Sequence, residues 1–131
     1  MSGERPELRP ATKADIADAF RNIYGESREI PTRILALTGS VGGRTICVGG
    51  IAFWPNGARQ AFCDISDEGR QYPKSLHRGA KTVLDMAKRM GVGKVIVVQG
   101  PDTHEKTPNW LRHLGFARQT IDGRLVYVWS R

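Results

Sequence analysis

Basic side chains gather around the point where a long helix is predicted to begin. Arg70, Lys74 and Arg78 follow one another at intervals of four residues. Guanidinium and ammonium groups bind phosphate oxygens through charge-assisted hydrogen bonds, so this stretch could hold a phosphorylated ligand. The same spacing also describes one solvated face of a helix, which requires no ligand. The residues alone leave both interpretations open.

Other common arrangements of reactive side chains are missing from the sequence. There is no Ser/His/Asp arrangement and no Walker-type glycine-rich loop. The histidines lack zinc-ligand spacing, and His77 and His113 are predicted to be exposed on helices. Cys47 and Cys63 are too few for a disulfide framework and also lack metal-ligand spacing. We therefore expect no metal, and we expect both cysteines to be reduced thiols of the core.

The composition is that of an ordinary globular protein with a basic surface. Its 131 residues suit a single domain over 1–131, with 40% apolar and 25% charged residues. No apolar run of ~18 residues exists, and the first ten residues resemble no signal peptide. We therefore expect a cytoplasmic protein that does not contact membranes. The net charge of +7 favours anionic partners, either nucleic acid, phosphorylated cofactors or acidic protein surfaces, without choosing among them.

The first half is predicted to hold a short extended segment over Glu7–Pro10, then one helix and then three strands. Ile16, Phe20 and Ile23 share a helical face, and Thr12 can cap the helix before them. Strands are predicted over 32–38, 44–54 and 59–65. The glycine-rich residues 39–43 are predicted to form a turn, and Asn56-Gly57 a type I′ hairpin turn.

The second half returns to a helical period before three further strands. A helix is predicted from Pro73 to Gly91, a buried strand over 94–99, a short helix over 108–114 and a hairpin of strands 116–121 and 124–129. The helical crossover makes strands 59–65 and 94–99 parallel neighbours. The sequence therefore predicts an α/β fold, a mixed sheet of about six or seven strands flanked by three helices.

Three phrases of sequence, spread over nearly the whole chain, agree with this order of elements. They are LRPAT at 8–12 with Asp15-Ile16 after it, VGGIA at 48–52, and NWLRHLGF at 109–116. Together they resemble the GNAT (N-acetyltransferase-like) superfamily, which implies acetyl transfer from acetyl-CoA to an amine. Truncated GNAT-like proteins of tailed phages and prophages, which have one long basic helix and a Trp-Leu-x-x-Leu-Gly-Phe ending, look more similar still. The location would then be the host cytoplasm or the virion.

The resemblance implies that acetyl-CoA docks beside the strand that ends at Ile65 and at the start of the long helix. The family binds the pyrophosphate on backbone amides in a loop written Arg/Gln-x-x-Gly-x-Gly/Ala. Gln71 matches the first position of that loop, whereas Lys74 and Leu76 stand at both small positions. Pro73 also removes one amide donor.

Other residues could compensate for the altered loop. Arg78 and Lys74 can reach phosphates by side-chain charge, and Gly79 is a small residue in a shifted register. Gly79 could equally be a packing glycine of the helix. The cofactor-binding residues expected from the resemblance are therefore Ile65, Gln71, Lys74, Arg78 and Gly79.

The resemblance also implies acid–base groups. GNAT enzymes commonly use a tyrosine on the last short helix as general acid, and by register Leu111 stands there. The usual asparagine before that helix falls at His104. A base is often a carboxylate on the strand before the cofactor loop, so Asp64 is the first candidate, ahead of Asp67 and Glu68. Asp64 and His104 are therefore the expected catalytic residues.

Three functions remain open on this sequence. The first is an acetyl-CoA-dependent N-acyltransferase acting on an amine. The second is a non-catalytic GNAT-like phage or prophage protein that binds a protein partner or belongs to the virion, as the altered loop and missing tyrosine would allow. The third is nucleic-acid binding through the basic helix, which no motif supports. Trp110 is interpreted as a core residue in all three.

Overall fold

A seven-stranded mixed sheet forms the centre of the molecule, with strand order β1-β2-β3-β4-β5-β7-β6. The computed structural model describes residues 5–25, 31–98 and 107–131. In chain order the elements are β1 (Glu7–Pro10), α1 (Lys13–Tyr24), β2 (Arg33–Val41), β3 (Arg44–Phe53), β4 (Arg59–Ile65), a 3₁₀ turn (Gly69–Gln71), α2 (Pro73–Arg89), β5 (Lys94–Val98), α3 (Thr107–His113), β6 (Ala117–Ile121) and β7 (Arg124–Ser130).

The strand directions confirm the predicted crossover. Strands β1 to β4 are antiparallel neighbours, and so are β5, β7 and β6 in that spatial order. Strands β4 and β5 are parallel and are joined through α2. The predicted α/β class and the mixed sheet with three helices are both confirmed.

Alternate residues of the central strands pack against helices on opposite faces of the sheet. Leu35 and Ile51 belong to the cluster that contains the buried residues of α2 and α3. Ala36 and Ala52 belong to the cluster that contains Ala19 of α1. This alternation follows from the two-residue period of a strand and buries both faces of β2 and β3.

Helix α1 begins with a complete capping box, and its last turns pack against strand β4. The Thr12 hydroxyl accepts from the Asp15 amide at 3.1 Å, and the Thr12 amide donates to the Asp15 carboxylate at 3.0 Å. At the other end, the Phe20 ring packs edge-on against Phe62 of β4 with centroids 5.0 Å apart. The carboxyl end of α1, which finishes at Tyr24, is thereby held over β4.

Two predicted turns differ from the structure. Strand β2 continues through most of the expected turn at 39–43, with a register shift at Gly39, and the chain reverses at Gly42 and Gly43. Gly39 belongs to the strand because it packs closely against Cys47 of β3: a Cβ on Gly39 would lie 2.8 Å from the Cys47 Sγ. The hairpin at 55–57 is confirmed but is not type I′, because Gly57 has φ of +90° while Asn56 does not adopt positive φ.

Candidate functional site

The parallel strands β4 and β5 pair where they begin and then separate. Among the described residues, their ladder holds one register pair, Gln60 with Ile96. Strand β4 then runs on to Ile65 while β5 pairs with β7 on its other side. The carboxyl ends of these two strands therefore open a wedge in the sheet, which is where open α/β sheets commonly bind ligands.

A cavity of about 490 Å³ occupies this wedge. Small residues of the strands, such as Gly49 and Ala61, form its floor, and Leu76 and Val83 of α2 form part of its wall. Its polar lining includes Asn22 at the end of α1, Arg70 before α2 and Ser75 in α2. The volume falls in the range of about 300–1,000 Å³ typical of small-molecule sites. A narrow, mostly apolar cleft of this kind suits an extended acyl chain.

The loop before α2 uses its own amides to close a 3₁₀ turn. The Arg70 amide donates to the Ser66 carbonyl at 3.1 Å, and the amides of Gln71 and Tyr72 donate to carbonyls within the turn at 3.1 and 3.0 Å. Gly69 is the first residue of this turn, and a Cβ there would overlap the Ile46 carbonyl oxygen. These three amides are consequently not free to hold a pyrophosphate, and the nearby side-chain cations are candidate anion-binding groups at this end of the cavity.

The cofactor residues expected from sequence divide into two groups. Ile65 and Gly79 line the cavity, and a Cβ on Gly79 would make only an ordinary van der Waals contact with Leu8 of β1, at 3.4 Å. The other three, Gln71, Lys74 and Arg78, have exposed side chains beside the cavity rather than in its described lining.

Among the residues that the structure describes, the cation that lines the cavity is Arg70. Sequence reasoning placed it among possible phosphate ligands but not among the expected cofactor residues. The signal that could have identified it is its position one residue before Gln71, inside the turn that follows β4.

Among the candidate bases, Asp64 is held by the end of α1. Its Oδ2 accepts from the Asn22 amide group at 2.9 Å, and its side chain is half-buried on the α1 face of β4. Asp67 is exposed. Glu68 forms a two-pronged pair with Arg44 at 3.1 and 2.7 Å, which holds the pKa of Glu68 below its usual value and makes it a weak base. His104 lies outside the described residues.

Both cysteines face the cavity rather than the core. Cys47 is half-buried and Cys63 is exposed to the cavity. The prediction that Cys63 is a core residue is therefore wrong. Protein atoms still crowd the Cys63 sulfur, and the resulting desolvation raises the pKa of Cys63 to about 12. At neutral pH the Cys63 thiol is therefore a poor nucleophile.

This raised pKa predicts slow thiol chemistry that accelerates only in strong alkali. We expect Cys63 in the folded protein to react slowly with a disulfide reagent at pH 7–8, with the rate still rising above pH 10. Because the folded pKa is raised, the neutral thiol stabilises the fold fully below pH ~8.5, the usual thiol value, and this contribution falls as pH rises towards 12. Rapid labelling at pH 7 in a Cys47→Ser variant, matched against Cys63→Ser, would contradict this assignment.

A hydrogen bond between α2 and α3 was not anticipated from sequence. The Trp110 indole N–H donates to Nδ1 of His77 at 3.3 Å, and Trp110 lines the cavity. His77 is half-buried, which corrects its prediction as an exposed helix residue. Leu111 next to Trp110 is buried at 5% exposure, so the place of the usual general acid holds an apolar core residue.

The described part of the chain contains neither a candidate metal cluster nor a candidate membrane-spanning helix. Within residues 5–25, 31–98 and 107–131, no group of three His, Cys, Asp or Glu side chains lies together in a way that could hold a metal ion. The described helices include none that is both long and apolar enough to cross a bilayer.

Comparison with known proteins identifies the fold. No protein-family model matches the chain, and no curated protein matches it. Solved structures do match along nearly its full length. One is an acetyltransferase from Agrobacterium tumefaciens, with 20% identity, a TM-score of 0.67, and coverage of 97% of this chain and 91% of that one.

Two further structures agree with the first. The ribosomal-protein-S18-alanine N-acetyltransferase of Escherichia coli matches with 13% identity and a TM-score of 0.67, covering 96% of this chain and 94% of that one. A putative acetyltransferase of Salmonella typhimurium, solved with its cofactor acetyl-CoA, matches with 12% identity and a TM-score of 0.70, covering 95% and 93%. The chain has the GNAT fold.

Proposed function

We propose that this protein is an acetyl-CoA-dependent N-acyltransferase that acts on an amine. The observation that carries the proposal is the wedge between β4 and β5, whose ladder among the described residues holds only the pair Gln60 and Ile96 and beside which lies a mostly apolar cavity of about 490 Å³. A structure solved with acetyl-CoA is among those that share the fold. An apolar cleft with a cation at one end matches a thioester-bearing arm with phosphates at its far end.

The residues present fit acetyl-CoA in a modified way. The apolar walls supplied by Ile65, Leu76 and Gly79 suit the pantetheine arm. Arg70 on the cavity wall would contact phosphate oxygens, with the exposed cations Lys74 and Arg78 nearby on α2. Bound acetyl-CoA would supply an activated acetyl thioester. Side-chain charge then replaces the glycine-rich amide cradle.

The residues of β4 and α1 prepare the amine. A neutral amine is required for attack on a thioester, and a carboxylate can take its proton directly or through water. Asp64 is the carboxylate proposed for this role: it lies outside the described lining of the cavity, but Asn22, which donates to it, lines the cavity. The hydrogen bond from Asn22 occupies one oxygen and orients the other. His104 stays a predicted catalytic residue without a structural description.

Titration calorimetry with acetyl-CoA tests the proposal. We expect binding with a Kd between about 1 µM and 1 mM, the range of most enzyme substrates. Arg70→Ala should weaken it about tenfold, because a charge-assisted contact to phosphate is lost. Lys88→Ala is the matched control, since Lys88 is exposed near the other end of α2.

The outcomes separate clearly. Absence of heat at millimolar acetyl-CoA would end the enzyme proposal and return the non-catalytic module to first place. Equal weakening by Arg70→Ala and Lys88→Ala would indicate attraction by general positive charge rather than a phosphate contact at Arg70. A relationship to tailed-phage proteins, a protein or nucleic-acid partner, and a host-cytoplasmic or virion location all stay predictions.

A further inference from the structure

Transfer of an acetyl group from a thioester leaves a negative charge on sulfur. This inference rests on the proposed function and concerns where the proton for that sulfur comes from. A positioned acid commonly speeds such a step by about 100-fold or more. The helix position that would carry the acid by resemblance holds the buried Leu111, so another group must be found.

Few proton-bearing side chains line the described part of the cavity, and most are already engaged. The Asn22 amide donates to Asp64, and the Trp110 indole donates to His77. Arg70 is assigned to the phosphate end of the proposed ligand. Ser75 and Thr107 carry alcohols, which are far too weak as acids to protonate a thiolate.

The two thiols are also unsuited to this role. Burial raises the pKa of Cys63 to about 12, which makes its thiol a weaker acid than an ordinary phenol. The Cys47 sulfur is held by the main chain of Gly39, against which it packs closely. Thiols are weak hydrogen-bond donors even when free.

Tyr24 is the remaining group, and its surroundings suit the task. It ends α1, lines the cavity and is 37% exposed. Its ring is fixed by Phe20, with centroids 5.3 Å apart in an edge-on arrangement, and Phe20 rests in turn on Phe62 of β4. Its hydroxyl has no hydrogen-bond partner among the described residues, so it is available to a ligand. Desolvation raises the pKa of Tyr24 above its usual 10, which keeps the phenol protonated at neutral pH.

The other two tyrosines do not share this position. Tyr127 is 3% exposed within the core on β7, and Tyr72 precedes α2 outside the described lining of the cavity. We infer that Tyr24, supplied by the first helix, is the general acid of this site. The general acid would then come from α1 rather than from the short helix α3, which lies on the opposite face of the sheet.

The proton and electron balance is straightforward. The amine nitrogen forms a bond to the carbonyl carbon, the carbon–sulfur bond breaks, and its electron pair goes to sulfur. The Tyr24 hydroxyl gives its proton to that sulfur. The nitrogen releases one proton to Asp64 or solvent, and the phenolate regains one from solvent. The products are an amide and a free thiol.

The test compares Tyr24→Phe with Tyr72→Phe in the intact protein. By calorimetry, Tyr24→Phe should bind acetyl-CoA with unchanged affinity. With a panel of small primary amines as acetyl acceptors, its rate of CoA release should be about 100-fold lower than that of the wild type. KM for the amine should stay the same. Tyr72→Phe should behave as the wild type in each measurement.

A second readout needs no amine. CoA is bound to each variant and its thiol is titrated by ultraviolet absorbance, with the ligand-free protein subtracted. A hydrogen bond from Tyr24 stabilises the thiolate, so Tyr24→Phe should raise the pKa of the bound thiol by about one unit, a tenfold effect. Normal binding with an unchanged thiol pKa overturns the Tyr24 assignment alone, as does a change confined to the KM of the amine. Failure of the wild type to bind acetyl-CoA overturns the proposed function.

Discussion

Replacing Gly50 by alanine should prevent stable folding. A Cβ at this position would overlap the carbonyl oxygen of Leu35 and lie 2.6 Å from the Cα of Ala36. Both atoms belong to the main chain of β2, which cannot rotate aside as a side chain can. We expect the free energy of unfolding to fall by at least about 4 kcal/mol, a large part of the 5–15 kcal/mol that holds a domain together.

Two other glycines provide graded controls. A Cβ on Gly93 would meet nothing within 4 Å, so Gly93→Ala should be close to neutral. A Cβ on Gly49 would lie 3.2 Å from the Cys63 Sγ, which must shift by a few tenths of an ångström, so Gly49→Ala should be mildly destabilising. Urea denaturation followed by circular dichroism measures all three. A Gly50→Ala protein with wild-type stability would show that β2 and β3 do not approach so closely.

The same close approach shapes the site. Gly50 and Gly49 both line the cavity, so the absence of side chains there leaves room for a ligand as well as for β2. The phrase VGGIA at 48–52 was useful in the sequence because it suggested a family. The structure gives it a physical meaning, since one glycine is needed by the neighbouring strand and the other faces Cys63 across the β3–β4 ladder.

Most of the fold could be predicted because its signals are local. Thr12 caps α1, Pro73 begins α2, and the turn at Asp122-Gly123 has positive φ at both residues, at 51° and 78°. Each follows from propensities of a few neighbouring residues. The prediction of a turn at 39–43 was wrong because Gly39 serves a long-range contact with Cys47, which local patterns do not encode.

The site was less predictable because it depends on where strands separate. Alternation placed Cys63 on a strand but could not reveal that the neighbouring ladder stops, which turns a core position into a cavity wall. Likewise, Arg70 lines the cavity because the chain forms a 3₁₀ turn before α2. Sequence motifs counted in the family's register selected Gln71 and Lys74 instead, and neither belongs to the described lining of the cavity.

Replacing Asp15 by alanine should destabilise the protein by about 2–4 kcal/mol at pH 7. Its Oδ2 accepts from Arg9 at 2.8 Å, from the Thr12 amide at 3.0 Å and from the Thr38 hydroxyl at 3.0 Å, which joins β1, α1 and β2. Thr38 is fully buried, so removing its acceptor leaves an unsatisfied hydroxyl at a cost of about 1–3 kcal/mol. Loss of the hydrogen bond from the Thr12 amide, the reciprocal half of the capping box, costs roughly a further 1 kcal/mol.

The pH dependence identifies the carboxylate as the source of this stability. Hydrogen bonds from Arg9 and from the Thr12 amide hold the pKa of Asp15 well below its ordinary value of 3.8. A depressed folded pKa means that the stabilisation is fully present above the unfolded value and is lost as pH falls through the folded one. The stability difference between the wild type and Asp15→Asn should therefore be constant near neutral pH and shrink steadily below pH ~4.

Asp18 is the matched control on the same helix. It pairs with Arg21 at 3.3 Å with both side chains mostly exposed, so Asp18→Ala should change the free energy of unfolding by less than about 0.5 kcal/mol. Equal effects of Asp15→Ala and Asp18→Ala would mean that the Asp15 network contributes no more than a surface ion pair. This matters for the site because α1 carries Asn22 and Tyr24 at its other end, so the Asp15 anchor also sets where both reach the cavity. Loss of acetyl-CoA turnover in Asp15→Asn should accordingly follow its loss of stability.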